Sequence, residues 1–227
     1  MLISVYILAV LLLFSQQQED YKQKRESMVK NQIERRGVND QSVLKAMGTV
    51  RRHHFVPVNQ MASAYEDHPL PIGYGQTISQ PYIVAYMTWV IKPQANFKVL
   101  EIGSGSGYQA AVLAEIVKEV YTIEIVPQLA DSASQRLKRL GYKNVQVKKA
   151  DGYEGWKEHA PYDAIVVTAA AEYIPPPLLE QLKDGGKMVI PIGSPFMTQQ
   201  LMLVEKNGKK RTTQSLMPVV FVPFTRK

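Results

Sequence analysis

The stretch Val99-Leu100-Glu101-Ile102-Gly103-Ser104-Gly105-Ser106-Gly107-Tyr108-Gln109 constrains the chain more than any other. An apolar strand runs into three glycines at alternate positions, and Ala, Val, Leu and Ile at helical spacing follow. A strand, a glycine turn and a helix in this order build a site for a nucleotide-like ligand. The glycines let the backbone bend sharply and let a ligand lie against bare main chain. A dinucleotide fingerprint places its third glycine one position later, where Tyr108 stands, and no Gly-Lys-Ser/Thr follows for a nucleoside triphosphate. Glu101 at the strand's end suits a ligand with a cationic portion better than a pyrophosphate, because like charges repel.

Two further acids extend the pattern. Glu119-Val120-Tyr121-Thr122-Ile123-Glu124 reads as a second strand ending in an acid, placed to take a ribose diol. Val145-Gln146-Val147 is a third strand leading to Ala150-Asp151-Gly152, where Asp151 is placed to accept from an adenine amino group. Alone, Glu124 reads equally well as a surface acid and Asp151 as a turn residue. Acids and glycines at successive strand ends make a joint coincidence improbable, since open parallel sheets bind ligands there. S-adenosylmethionine, with a sulfonium and an ammonium group, fits this set of residues.

The rest of the chain completes a doubly wound α/β domain with a mostly parallel sheet, an N-terminal helical cap and an antiparallel C-terminal edge. Pro127 and Gly141 bracket a helix with Leu129, Ala133, Leu137 and Leu140 on its buried face. Tyr162 to Thr168 is a fourth, apolar strand. Leu178, Leu179 and Leu182 predict a helix ending at Asp184-Gly185-Gly186, before a fifth strand over Lys187–Pro191. Asn207-Gly208 marks a hairpin, and Met217–Phe224 a last strand. Upstream, Asp20–Arg36 carries one helical stripe stopped by Gly37, and Asp40 caps a second helix. Arg51–Pro57 reads as extended, residues 62–80 as a long functional loop, and Pro81 as the start of another helix.

Bulk properties narrow the possibilities. The 227 residues suffice for one core. The net charge of +7 fits a solvated basic surface, or attraction to acidic partners or nucleic acid. The chain has no cysteine, which excludes disulfides, thiolate metal sites and cysteine nucleophiles. Leu2 to Phe14 is almost wholly apolar, too short for an ordinary membrane span and suited to the apolar part of a signal peptide. Ser15-Gln16-Gln17-Gln18 offers a cleavage point, although no Lys or Arg precedes the run. A mis-assigned start and a short membrane-associated tail are the other readings.

The segments Leu70-Pro71-Ile72-Gly73-x-Gly75-Gln76-Thr77-Ile78-Ser79-Gln80-Pro81, Val99–Tyr108 and Ala160–Ala171 closely resemble the protein-L-isoaspartate (D-aspartate) O-methyltransferase family. The resemblance runs from about Met28 to Phe224. It implies a Rossmann-like class I methyltransferase fold, S-adenosylmethionine as cofactor, and methyl transfer to the free carboxylate of L-isoaspartyl residues in damaged proteins. It puts the active-site serine on Ser79. It puts cofactor contacts on Thr77, Ile78, Glu101, Gly103, Ser104, Gly105, Gly107, Glu124, Asp151 and Gly152. It divides the chain into an extension (1–20) and one domain (21–227), with cap and active-site loop over 21–95 and cofactor sheet over 96–227. It implies a cytoplasmic location, or an exported one if residues 1–15 act as a signal. No heptad or unexplained apolar stripe demands a partner, so the chain reads as a monomer with no stable membrane span and no nucleic acid.

Other readings compete at particular residues. Ser79 also reads as an N-cap ahead of Pro81. Glu101 also reads as a cap of the glycine turn. His53, His54, His68 and His159 match no helical ligand pair, so no metal is expected, and His68 reads equally as a substrate contact in the loop and as a plain polar loop residue. A nucleobase amino-methyltransferase would carry Asp or Asn before Pro-Pro and an aromatic after the fourth strand. Thr168-Ala169-Ala170-Ala171 stands there instead. RNA or small-molecule methylation and a non-catalytic binding module remain the alternatives.

Overall fold

A computed structural model describes residues 16, 18–194 and 197–226. The apolar run of residues 2–14 lies outside them. Helix α1 (residues 18–27) continues through a π-helical stretch, Met28–Ile33, and a 3-10 turn, Glu34–Arg36. Helix α2 (Gln41–Thr49) begins at Asp40, whose Oδ1 accepts from Ser42 N at 2.9 Å and Val43 N at 3.1 Å. These bonds satisfy two of the four free N–H groups at a helix start, and Val43, Leu44, Ala46 and Met47 are buried behind them. Asp40→Ala is therefore expected to cost about 0.5–2 kcal/mol in urea unfolding with activity per folded molecule unchanged.

The sheet has the order β5-β4-β3-β6-β7-β8-β9. Its members are β3 (Lys98–Ile102), β4 (Glu119–Glu124), β5 (Val145–Lys149), β6 (Tyr162–Val167), β7 (Leu182–Ile192), β8 (Gln199–Asn207) and β9 (Lys210–Val219). β5, β4, β3, β6 and β7 are parallel, while β8 and β9 run antiparallel beyond β7. Helices α3 (Pro81–Val90), α4 (Tyr108–Ala114), α5 (Pro127–Arg139) and α6 (Pro176–Gln181) complete the layers. Successive side chains of a strand face opposite ways. Val99, Val120, Ala164 and Val189 accordingly join the core under α2, α3 and α4, whereas Leu100, Tyr121, Ile165 and Met188 join the core on the α6 face. The open edges are cationic: β5 carries Lys148 and Lys149, and β9 carries Lys210 and Arg211, with Pro218 near its end.

Four sequence expectations give way. Met217–Phe224 is not a strand of its own: Met217–Val219 end β9, and in the chain beyond Pro223 bridges Ala170. Arg51–Pro57 is not extended: Arg52–Phe55 is a 3-10 turn, whose three-residue period buries both Arg52 and Phe55. The loop over residues 62–80 contains a hairpin, β1 (Leu70–Gly73) against β2 (Gln76–Ile78), with Leu70 opposite Ile78 and both buried. The helix expected to reach Asp184-Gly185-Gly186 ends at Gln181, and Leu182 already pairs with Tyr162 in the sheet. Lys206 Nζ from β8 donates to the carbonyls of Leu179 (2.9 Å), Glu180 (3.2 Å) and Leu182 (2.7 Å), closing that helix end.

Candidate active site

Strand order reverses at β3, with β4 on one side and β6 on the other, and ligands of open α/β sheets bind at such a point. Beyond Ile102 the chain turns through Gly103, whose φ is +95°. An added Cβ there would lie 2.4 Å from Thr168 Oγ, so glycine serves both the turn and the close approach. Glu124, at the end of β4, fastens this loop. Its Oε2 accepts from Gly105 N at 2.8 Å and its Oε1 from Val126 N at 2.9 Å. Ser104 Oγ pairs with Thr122 Oγ1 at 2.8 Å, and Arg136 Nη1 donates to Ser106 O at 2.8 Å. Gly107 starts α4 and packs on Leu137, a structural position rather than a lining one. At the end of β5 a Cβ on Gly152 would fall 2.4 Å from Ile102 Cγ2, so only glycine lets these strand ends come together.

A cleft opens above these strand ends in three connected lobes. The first, of about 550 Å³, lies between Gly103, Gly105, Glu124 and Gly152 on one side and Val222–Thr225 on the other. The second, of about 310 Å³, runs inward past Ile78, Ser79, Glu101 and Ser104. The third is an outer groove of about 870 Å³ between Ser79, Gln80 and Ile83 and the chain at Pro218–Val222. Thr77 and Thr168 line all three, and Ser79 lines the inner lobe and the groove.

Glu101 is the electrostatic singularity of the site. It has no exposed surface, and neither carboxyl oxygen has a hydrogen-bond partner among the described residues. Burial, reinforced by the neighbouring Glu124 carboxylate, pushes its carboxyl up to about 8. The Thr122 hydroxyl and the Ala110 amide face it and pull the other way. A buried acid without a partner is costly unless a ligand completes it. Asp151 stands differently. Its Oδ1 accepts from Tyr153 N at 2.9 Å and its Oδ2 from Arg226 Nε at 3.2 Å, so the carboxylate is already engaged beside the cleft.

Ser79 follows β2 and precedes α3. The N-cap of α3 is Gln80, with no side-chain capping bond, so Ser79 is not the cap. Gln80 Nε2 instead donates to Asp67 O at 2.9 Å, and Asp67 pairs with Arg36 at 2.7 Å. The root of the loop is held at Tyr65, whose hydroxyl meets His53 Nδ1 at 2.6 Å and whose carbonyl accepts from Gln32 at 2.8 Å. His68 is exposed, meets Glu66 Oε2 and Pro69 O, each at 2.9 Å, and lines none of the three lobes. His159 stacks on Tyr121 at 4.0 Å. Among the described residues no three His, Cys, Asp or Glu side chains gather as a metal site.

The sequence reading missed Thr168 and the tail at Val222–Thr225 as lining residues. Thr168 carried a usable signal, since it ends a parallel strand on the ligand-binding edge. The tail carried none, because its place depends on the pairing of Ala170 with Pro223 across the sheet end.

The sequence profile of the protein-L-isoaspartate(D-aspartate) O-methyltransferases matches residues 23–227. The chain belongs to this family. It is 63% identical over 187 residues to protein-L-isoaspartate O-methyltransferase 2 of Syntrophobacter fumaroxidans, covering 82% of this chain and 76% of that one. It is 54% identical over 225 residues to the protein-L-isoaspartate O-methyltransferase of Opitutus terrae, covering 97% of each. Among solved structures, a protein-L-isoaspartate O-methyltransferase superposes with a TM-score of 0.81 at 29% identity, over 89% of this chain and 65% of that longer one. The Plasmodium falciparum relative, crystallised with S-adenosyl-L-homocysteine, gives 0.76 at 28% identity over 89% of this chain and 99% of its own.

Proposed function

We infer that this chain transfers a methyl group from S-adenosylmethionine to the free carboxylate of L-isoaspartyl residues in damaged proteins, the first step of their repair. Family membership supports the reaction, and the unpaired buried Glu101 supports a cationic cofactor. The bound cofactor supplies a methyl on a sulfonium, and a carboxylate is already nucleophilic at neutral pH. The protein's task is therefore placement and the exclusion of water, which contribute roughly 7–11 kcal/mol when geometry is held. Gly103, Gly105 and Gly152 give the cofactor bare backbone, Thr77, Ile78, Ser104 and Glu124 border it, and Glu101 balances its charge. Asp151 caps the turn after β5 and pairs with Arg226, and each of its oxygens keeps a lone pair for the adenine amino group. Ser79, between inner lobe and outer groove, donates to the isoaspartyl carboxylate, and the hairpin β1–β2 with its flanking loop covers the site.

Ser79→Ala is expected to lower turnover about 10- to 100-fold, the worth of one hydrogen bond to a charged group. Its unfolding midpoint should be unchanged, because Gln80 rather than Ser79 heads the helix. Unchanged turnover per folded molecule would remove the role. The reaction itself is tested with labelled S-adenosylmethionine, an isoaspartyl peptide, its aspartyl twin and tRNA. Base-labile label on the isoaspartyl peptide alone is the expected result, and label on tRNA would overturn it.

We also read the chain as a monomer that binds no nucleic acid, with residues 21–95 supplying cap and loop and residues 96–227 the cofactor sheet. Among the described residues no helix is long and apolar enough to cross a membrane. Residues 1–15 decide the compartment. An intact Met1 in the cytosolic fraction matches the family's cytoplasmic setting, and cleavage near Ser15–Gln18 marks export.

A further inference from the structure

Two hydroxyl side chains meet where the cofactor lobes join the outer groove, and their hydrogen bonding differs. Ser79 is not used at its helix end, so its proton is free to be given to a carboxylate. The Thr168 proton is already directed at protein carbonyls, Gly103 O at 2.7 Å and Ile102 O at 2.9 Å. A hydroxyl has one proton and two lone pairs. Thr168 lines all three lobes, and with its proton committed its oxygen has only lone pairs left to offer a ligand. The orientation is enforced: the hydroxyl fills the space beside Gly103, where a Cβ would come within 2.4 Å of it. The strand end is fixed as well, since Thr168 N donates to Ile102 O at 2.9 Å.

We propose that Thr168 is a positioning residue for the transferred group. Its oxygen accepts the polarised C–H groups around the sulfonium at the junction of the three lobes. The proposal rests on the methyltransferase reading and refines it. A positive sulfur withdraws density from the carbons bonded to it, which strengthens C–H···O contacts and draws them toward a lone pair. The same lone pairs repel a carboxylate, so the acceptor acid is left to the Ser79 side. The two hydroxyls thus sort the ligands by charge, cation against Thr168 and anion against Ser79. The contact belongs to S-adenosylmethionine and not to S-adenosylhomocysteine, whose thioether carries no charge and no methyl.

The test is calorimetry of both ligands, at one pH, on the full chain and on Thr168→Val and Thr168→Ser. The expected result is that Thr168→Val loses about two- to fivefold more affinity for S-adenosylmethionine than for S-adenosylhomocysteine, the range of one such contact. Thr168→Ser, which keeps the hydroxyl, restores the wild-type ratio of the two affinities. Equal losses for both ligands would mean that Thr168 only braces Gly103, and would overturn the proposal, as would no loss for either. Should the valine variant not fold, Thr168→Cys, a weak acceptor of similar size, is read by the same ratio. Wild-type chain that takes up neither ligand would defeat the methyltransferase reading itself, a result distinct from an unchanged ratio.

Discussion

Glu101→Gln is expected to make the ligand-free protein more stable at neutral pH while weakening its uptake of S-adenosylmethionine about tenfold or more. The two effects have one origin. Glu101 is fully buried, unpaired, and holds its proton up to about pH 8 in the folded chain. The unfolded chain releases that proton near the ordinary glutamate value of 4.5. Between these values the folded state binds one more proton than the unfolded state, so stability falls as pH rises through the window. At pH 7 the penalty reaches up to about 3 kcal/mol, and glutamine does not incur it. Binding runs the other way. A cationic cofactor favours the ionised acid, so wild-type affinity should rise by up to about tenfold per pH unit between pH 6 and 8 and level off above. The glutamine variant should show no such rise, having lost the hydrogen bonds of a charged acceptor, worth about 1.5–3 kcal/mol. Thermal unfolding against pH, with calorimetry of the cofactor over the same range, checks both signs. A glutamine variant less stable at pH 7, or a flat wild-type binding profile, would contradict this account.

Gly103→Ala should abolish measurable cofactor binding at ligand concentrations that saturate the wild type. The alanine would have to hold φ near +95°. That conformation costs an L-residue roughly 1–2 kcal/mol. Its Cβ would also press on Thr168 Oγ at 2.4 Å. Thr168 cannot turn away without releasing the Gly103 carbonyl, so the strain passes into the glycine loop and into Glu124, which is bonded to it. Gly208→Ala is the matched control: φ there is +61°, but nothing lies within 4 Å. It should show the backbone cost in urea unfolding and bind cofactor normally.

Much of this was legible in the residues. The strand–glycine–helix order at Val99–Gln109, the acids closing β3 and β4, and Asp40 as a cap are local features, and local chemistry fixes them. The fourth and fifth strands were readable because buried parallel strands are continuously apolar. What was not legible depends on distant partners. The early end of α6 follows from Lys206, 24 residues beyond Leu182. The pairing of Asp151 with Arg226 was hidden because nothing near it in sequence announces a partner 75 residues away. The hairpin within residues 62–80 escaped because its strands are four and three residues long, too short for a period to register. Thr168 was seen as a strand residue, and its hydroxyl's commitment to Gly103 is a fact of tertiary contact alone.

The cations along the two outer strands of the sheet have a consequence for the company this enzyme keeps. Its substrates are aged proteins, some with loosened β-structure and unpaired backbone seeking a neighbour. Lys148 and Lys149 on one border, and Lys210, Arg211 and Pro218 on the other, make its own rims poor templates for such strands. An incoming apolar strand would have to cover these charged side chains, and a proline offers no N–H to share. The molecule can meet sticky clients at its cleft without being drawn into their aggregates at its borders.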